Sequence, residues 1–142
     1  VLIGSLLPLA TVVTPNVAEA RALAGGDGDR RTLAERIVAR GARAVLITGG
    51  GGEGSDLLFD GAEHLEIPVA WVEGTATHGT GCTHSATLAA ELALGTPLAE
   101  AARRAAAVTA AAIAQGLVGI GAGPGPVAVG QASGASQRVR TR

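Results

Sequence analysis

Two short apolar runs, Thr11–Thr14 and Ala44–Thr48, are separated by a stretch that reads as two helices. This order constrains the fold more than any other feature of the chain. β-Branched and aliphatic runs of four or five residues, bounded by turn residues, read as buried strands. A strand that returns to the same sheet after intervening helices must do so by a crossover, which makes the two strands parallel. The first helix has a start signal in Asn16-Val17-Ala18-Glu19, where Asn16 caps and Glu19 at the third helical position closes a capping box. It runs to about Ala24 and stops at Gly25-Gly26, and residues 25–30 form a polar loop. The second covers Arg31–Arg40, with Leu33, Ile37 and Val38 on one face and Gly41 as the closing glycine.

Downstream, Asp56–Phe59 and Ile67–Val72 read as two further strands joined near Gly61, paired antiparallel at a sheet edge. Residues 73–81 form a loop leading into a helix from about 82 to 94, closed by Gly95. Thr96-Pro97 restarts a helix, with threonine as cap and proline at the first position, to about Gln115. The run 116–126 is too rich in glycine and proline to be helical. Residues 129–142 read as a disordered tail, and Val1–Leu9 as the end of a helix. The sum is an α/β domain over residues 1–128.

Composition removes several classes of function. A net charge of −1 gives no electrostatic basis for nonspecific nucleic-acid binding. No apolar run reaches the length of a membrane span, and no basic segment precedes an apolar stretch as in a signal peptide. One cysteine cannot form an internal disulfide, which fits a reducing cytoplasm. The apolar start at Val1, without methionine, leads us to expect that part of the domain precedes it.

The chemistry concentrates in Thr77-His78-Gly79-Thr80-Gly81-Cys82-Thr83-His84-Ser85-Ala86. Glycines that open a helix let backbone N–H groups approach an anion, and a helix N-terminus favours the thiolate form of a cysteine placed there. The plainer alternatives are a small packed thiol after an ordinary loop, and threonines that only cap. His84 reads as a solvated or packed side chain. Thr48-Gly49-Gly50 ends a strand, where ligands bind in open α/β sheets.

Taken in order, Thr-Pro-Asn-x-x-Glu at 14–19, Thr-Gly-Gly at 48–50, Asp-Leu-Leu-Phe-Asp at 56–60, the 77–86 segment and Gly-x-Gly-Pro-Val near the end form one pattern. It resembles the C-terminal half of the hydroxymethylpyrimidine/phosphomethylpyrimidine kinases, members of the ribokinase-like superfamily together with the pyridoxal kinases. The resemblance covers about residues 2–128. It implies a mostly parallel sheet with helices on both faces, with the family's N-terminal portion missing. It implies ATP-dependent phosphorylation of a pyrimidine alcohol and then its monophosphate, in thiamine diphosphate biosynthesis, by a cytoplasmic homodimer. Pyridoxal kinase, and a non-catalytic half that needs a partner, are the alternatives.

The same resemblance assigns roles. Cys82 becomes the base or anion-hole residue, with Gly79, Thr80 and Gly81 around the phosphoryl group. Thr48, Gly50, Asn16 and Gly123 fall near the nucleotide, and Glu19 near Mg2+. The family often has lysine where this chain has Thr48, so the positive charge of that position is absent here.

Overall fold

In the computed structural model the described residues are 2–49, 54–72, 76–117, 119 and 122–131. Helices α1 (Val17–Ala24) and α2 (Arg30–Ala39) precede strands β1 (Val45–Ile47), β2 (Ser55–Phe59) and β3 (His64–Pro68). Helices α3 (Thr80–Ala93) and α4 (Leu98–Ala114) follow. Leu2–Leu9 forms a π turn and a 3-10 turn, not the end of an α-helix.

The capping box forms as the sequence predicts. Asn16 Oδ1 accepts the Glu19 N–H at 2.9 Å, and Glu19 Oε2 accepts the Asn16 N–H at 2.9 Å. Gly25, at φ 75°, ends α1 in the left-handed conformation that glycine adopts without strain. Helix α2 starts one residue before the expected position because Asp29 caps it, accepting the Thr32 N–H at 2.8 Å. Helix α4 starts later, at Leu98. Thr96 does not cap it, because its hydroxyl donates instead to Glu91 at 2.8 Å.

Alternation along β1 places helices on both faces. Val45 and Ile47 join Leu33 and Ile37 of α2 and Ala20 and Ala24 of α1 in one apolar cluster. Leu46 points the other way, into a cluster with Leu58, Ile67, Leu88 of α3 and Ala101, Ala102 and Ala105 of α4. The small alanine side chains let α4 lie close against the layer beneath it, with all three fully buried.

The parallel part of the sheet is carried by the segment beside β1. Val13 N–H donates to Ala44 O at 3.1 Å, Leu46 N–H to Val13 O at 2.8 Å, and Thr48 N–H to Pro15 O at 2.9 Å. Val13–Val45 and Asn16–Thr48 are the resulting parallel bridges. Pro15 has no N–H to donate to Leu46, so the expected strand at Thr11–Thr14 does not extend into a continuous ladder. The three ladder strands themselves are antiparallel, in the order β1-β2-β3, and the β2–β3 pairing is the antiparallel one the sequence predicts. Short connections explain it. The β2–β3 turn is fixed by Asp60, whose Oδ1 accepts the N–H groups of Ala62 and Glu63 at 2.9 and 2.8 Å. That tight turn also brings β3 in at His64, three residues ahead of its expected start.

Candidate active site

The site is assembled at the carboxyl end of β1. The parallel bridge sets Asn16 directly beside Thr48, so two of the sequence-predicted nucleotide residues are neighbours. Gly50 lies outside the described residues. Glu19, one turn into α1, is exposed, and its Oε2 is engaged by the capping box. A groove of about 340 Å3 opens beside it, lined by Val13, Thr14, Pro15, Glu19, Ala22 and Leu23.

Helix α3 brings the glycine-rich segment to the same end. The helix starts at Thr80, two residues before the expected position, so Thr80 and Gly81 are its first turn and not a loop. The reason is local. Gly79 at φ 88° supplies the left-handed turn, and the Thr80 hydroxyl donates to Thr77 O at 2.7 Å. Thr83 N–H bonds to Gly79 O at 2.9 Å, which closes the first helical ring. Between them, the Gly81 and Cys82 N–H groups stand where a helix supplies no acceptor of its own. A Cβ built on Gly81 would meet no atom within 4 Å, so the space before this turn is open. Cys82 is an exposed free thiol, not a packed one. The positive end of the helix dipole faces the same opening.

Two contacts join this turn to the rest. The Thr14 and Ser85 hydroxyls lie 3.1 Å apart, linking the 11–16 segment to α3. On the other side, His78 N–H donates to Gly125 O at 3.1 Å and Val127 N–H to His78 O at 3.0 Å. These bonds dock the terminal glycine-rich loop, which contains Gly123, against the residues that lead into α3. Leu117 N–H closes the loop on Pro126 O at 3.0 Å. The loop needs glycine for this approach, because a Cβ on Gly125 would collide with the Leu117 carbonyl.

Four residues of this arrangement carry no site role in the sequence reading: Thr14, Ser85, Asp56 and His84, the last expected as a solvated or packed side chain and found buried. Asp56, on β2, is buried, and its Oδ1 accepts the Gly49 N–H at 2.8 Å. Its Oδ2 lies 3.3 Å from Nε2 of His84, which is buried as well. The helical spacing of His84 and Leu88 carries the signal for His84, since residues four apart share a face. Nothing local marks Asp56.

Among the described residues no group of three or more His, Cys, Asp or Glu side chains is placed to hold a metal. No helix among them is long and apolar enough to cross a membrane.

Comparison with known proteins gives the family and the fold. The sequence profile of phosphomethylpyrimidine kinase matches residues 1–128. The hydroxymethylpyrimidine/phosphomethylpyrimidine kinase of Rhizobium meliloti is 50% identical over 135 residues, covering 89% of this chain and 51% of the relative. The pyridoxal kinase of Staphylococcus aureus, solved with AMP-PCP and pyridoxal, superposes with a TM-score of 0.84 at 37% identity. That match covers 91% of this chain and 51% of the other. A pyrophosphate-dependent kinase in the ribokinase family shares the fold at 23% identity, with a TM-score of 0.69 over 89% of this chain and 42% of its own. The fold is therefore ribokinase-like, and the chain spans about half the length of the relatives it matches. The match over residues 1–128 shows that the chain belongs to the phosphomethylpyrimidine kinase family.

Proposed function

We propose that the whole protein transfers the γ-phosphoryl group of ATP to hydroxymethylpyrimidine and then to its monophosphate, in thiamine diphosphate biosynthesis, and that this chain carries the phosphate-handling half. The observation that carries the proposal is the open first turn of α3, held by the Thr14–Ser85 contact at the ends of β1 and the 11–16 segment. Phosphoryl transfer asks a protein chiefly to position groups and stabilise charge on the moving oxygens. The Gly81 and Cys82 N–H groups do this without a side chain, and Gly79 and Thr80 set their direction. Cys82, exposed beside them, acts as the thiolate, whose sulfur takes the proton of the attacking alcohol and becomes the thiol.

Thr48, Asn16 and Gly123 serve the nucleotide side, while the role expected of Gly50 falls outside the described residues. Support comes from the pairing of Asn16 with Thr48 and from the docking of the Gly123 loop beside Gly79. Glu19 fits Mg2+ in a limited way. One carboxylate oxygen holds the cap, and the other would be available to hold a metal beside the nucleotide phosphates. The metal would supply charge neutralisation at those phosphates. Cytoplasmic location and homodimerisation of the whole protein complete the proposal.

Pyridoxal is the rival substrate, because the superposing kinase from Staphylococcus aureus is a pyridoxal kinase. The test is phosphorylation by the full-length protein with ATP and Mg2+, offering each alcohol separately. Higher kcat/KM for hydroxymethylpyrimidine supports the proposal, and a clear preference for pyridoxal reverses it. The third possibility is that this chain is a non-catalytic half that needs a partner; activity restored only on adding the missing half would favour it.

A further inference from the structure

Asp56 and His84 are each only 4% exposed. Each would be costly alone, because a buried polar group without a partner loses its hydration and gains nothing in return. Here they face one another, with Asp56 Oδ2 and His84 Nε2 at 3.3 Å. The approach is close enough for an ion pair, although its angle lies outside hydrogen-bond geometry. The side chains that share their face are apolar: Leu58 two residues on in β2, Ile67 opposite Asp56 in β3, and Leu88 one turn past His84. Apolar side chains at both positions would serve stability as well or better, since buried ion pairs are often matched by well-packed hydrophobic replacements. Stability alone therefore gives no reason for this pair.

Connection does. The Asp56 carboxylate has two oxygens and uses each on a different segment. Oδ1 holds the Gly49 N–H at 2.8 Å, in the loop that leaves β1. Oδ2 faces α3, two residues past Cys82. No other described hydrogen bond or ion pair joins the 48–49 backbone to α3. We infer that Asp56 and His84 are positioning residues, a buried tether that fixes the Gly49 loop to the first turns of α3. The nucleotide side of the site is thereby held at a set distance from the turn that receives the phosphoryl group. Its catalytic consequence rests on the kinase function proposed above, while the tether itself does not.

The test uses the full-length protein and three variants, Asp56→Ala, His84→Leu and Asp56→Asn. Hydrogen–deuterium exchange is followed in the segments 44–49 and 80–88, and KM for ATP and kcat are measured beside it. Asp56→Ala and His84→Leu are expected to raise exchange in both segments together. Each should raise KM for ATP about tenfold, with a smaller fall in kcat. Asp56→Asn still accepts from Gly49 and donates toward a neutral imidazole, so its KM should stay within about threefold of the parent. His84→Leu fills its site with an apolar side chain and keeps the Gly49 bond, so it remains readable if Asp56→Ala does not fold. A lowered melting temperature with unchanged KM for ATP, or faster exchange confined to one segment, would overturn the tether. If the parent protein phosphorylates neither alcohol, the kinase proposal falls, and the exchange comparison still decides the tether.

Discussion

Cys82 and Ser85 stand three residues apart on α3, a spacing that puts them on one helix face. Ser85 touches Thr14, which seats the start of α3 against the 11–16 segment that also carries Asn16. In the full-length enzyme, Cys82→Ala should lower kcat by about 10²-fold or more, the scale of a lost general base, and leave KM for ATP near its parent value. Steady-state kinetics with ATP varied at saturating alcohol will show this; wild-type kcat would remove the thiol from the chemistry. Glu19 has a structural task and a proposed chemical one, and Glu19→Gln separates them. The amide oxygen still accepts the Asn16 N–H, so the helix cap and the melting temperature should hold. The charge is gone, so the Mg2+ concentration for half-maximal rate should rise severalfold, on the order of tenfold. An unchanged Mg2+ titration would leave Glu19 as a cap alone.

Elements are set by their end residues, and two of these give measurable effects. Gly79 turns the chain into α3 at φ 88°, a conformation that costs an L-residue about 1–2 kcal/mol. A Cβ there would meet only Val127 Cγ2 at 3.5 Å, an ordinary contact, so backbone strain is the main cost of Gly79→Ala. Chemical denaturation should show a loss of about 1–2 kcal/mol. Asp29, the cap of α2, is held below the usual aspartate range by the Thr32 N–H, with a further contribution from the Thr32 hydroxyl. Because the folded value lies below the unfolded one, the stabilisation is present above about pH 3.9 and is lost as pH falls through the folded value. An asparagine caps as well without titrating, so Asp29→Asn should shrink the difference between urea midpoints at neutral and acid pH. An equal difference in both proteins would show that this carboxylate is not coupled to folding.

At the scale of the molecule, helices cover both faces of the sheet, but its sides are less protected. Among the described residues β3 pairs with β2 alone, and the 11–16 segment pairs with β1 alone. Unpaired strand backbone is a template for association. Several large apolar side chains are exposed as well, including Leu9 at 79%, Trp71 at 74% and Leu94 at 82%. We expect the 142-residue chain, expressed by itself, to be poorly soluble or to self-associate, as light scattering behind size exclusion would report. A stable monomer that phosphorylates either alcohol unaided would contradict this.

Helices, the α1 capping box and the family were legible in the order of residues, whereas the Asp29 cap and the start of α4 were not. Asn16 and Glu19 carry the α1 start, Gly25 its end, and the Gly-Thr-Gly-Cys run the proposed site, because each acts over three or four residues of its own chain. Which segments meet was settled by packing. Thr14 lies 71 residues from Ser85, and Asp56 reaches Gly49 on one side and His84 on the other, pairings that no local pattern encodes. The sheet shows the same division. Crossover order foretold that the 11–16 segment would run parallel to β1, whereas the start of β3 depended on a turn built by Asp60 and on pairing across it. Local propensity is written in neighbouring residues; burial of a carboxylate against an imidazole exists only once the chain has packed.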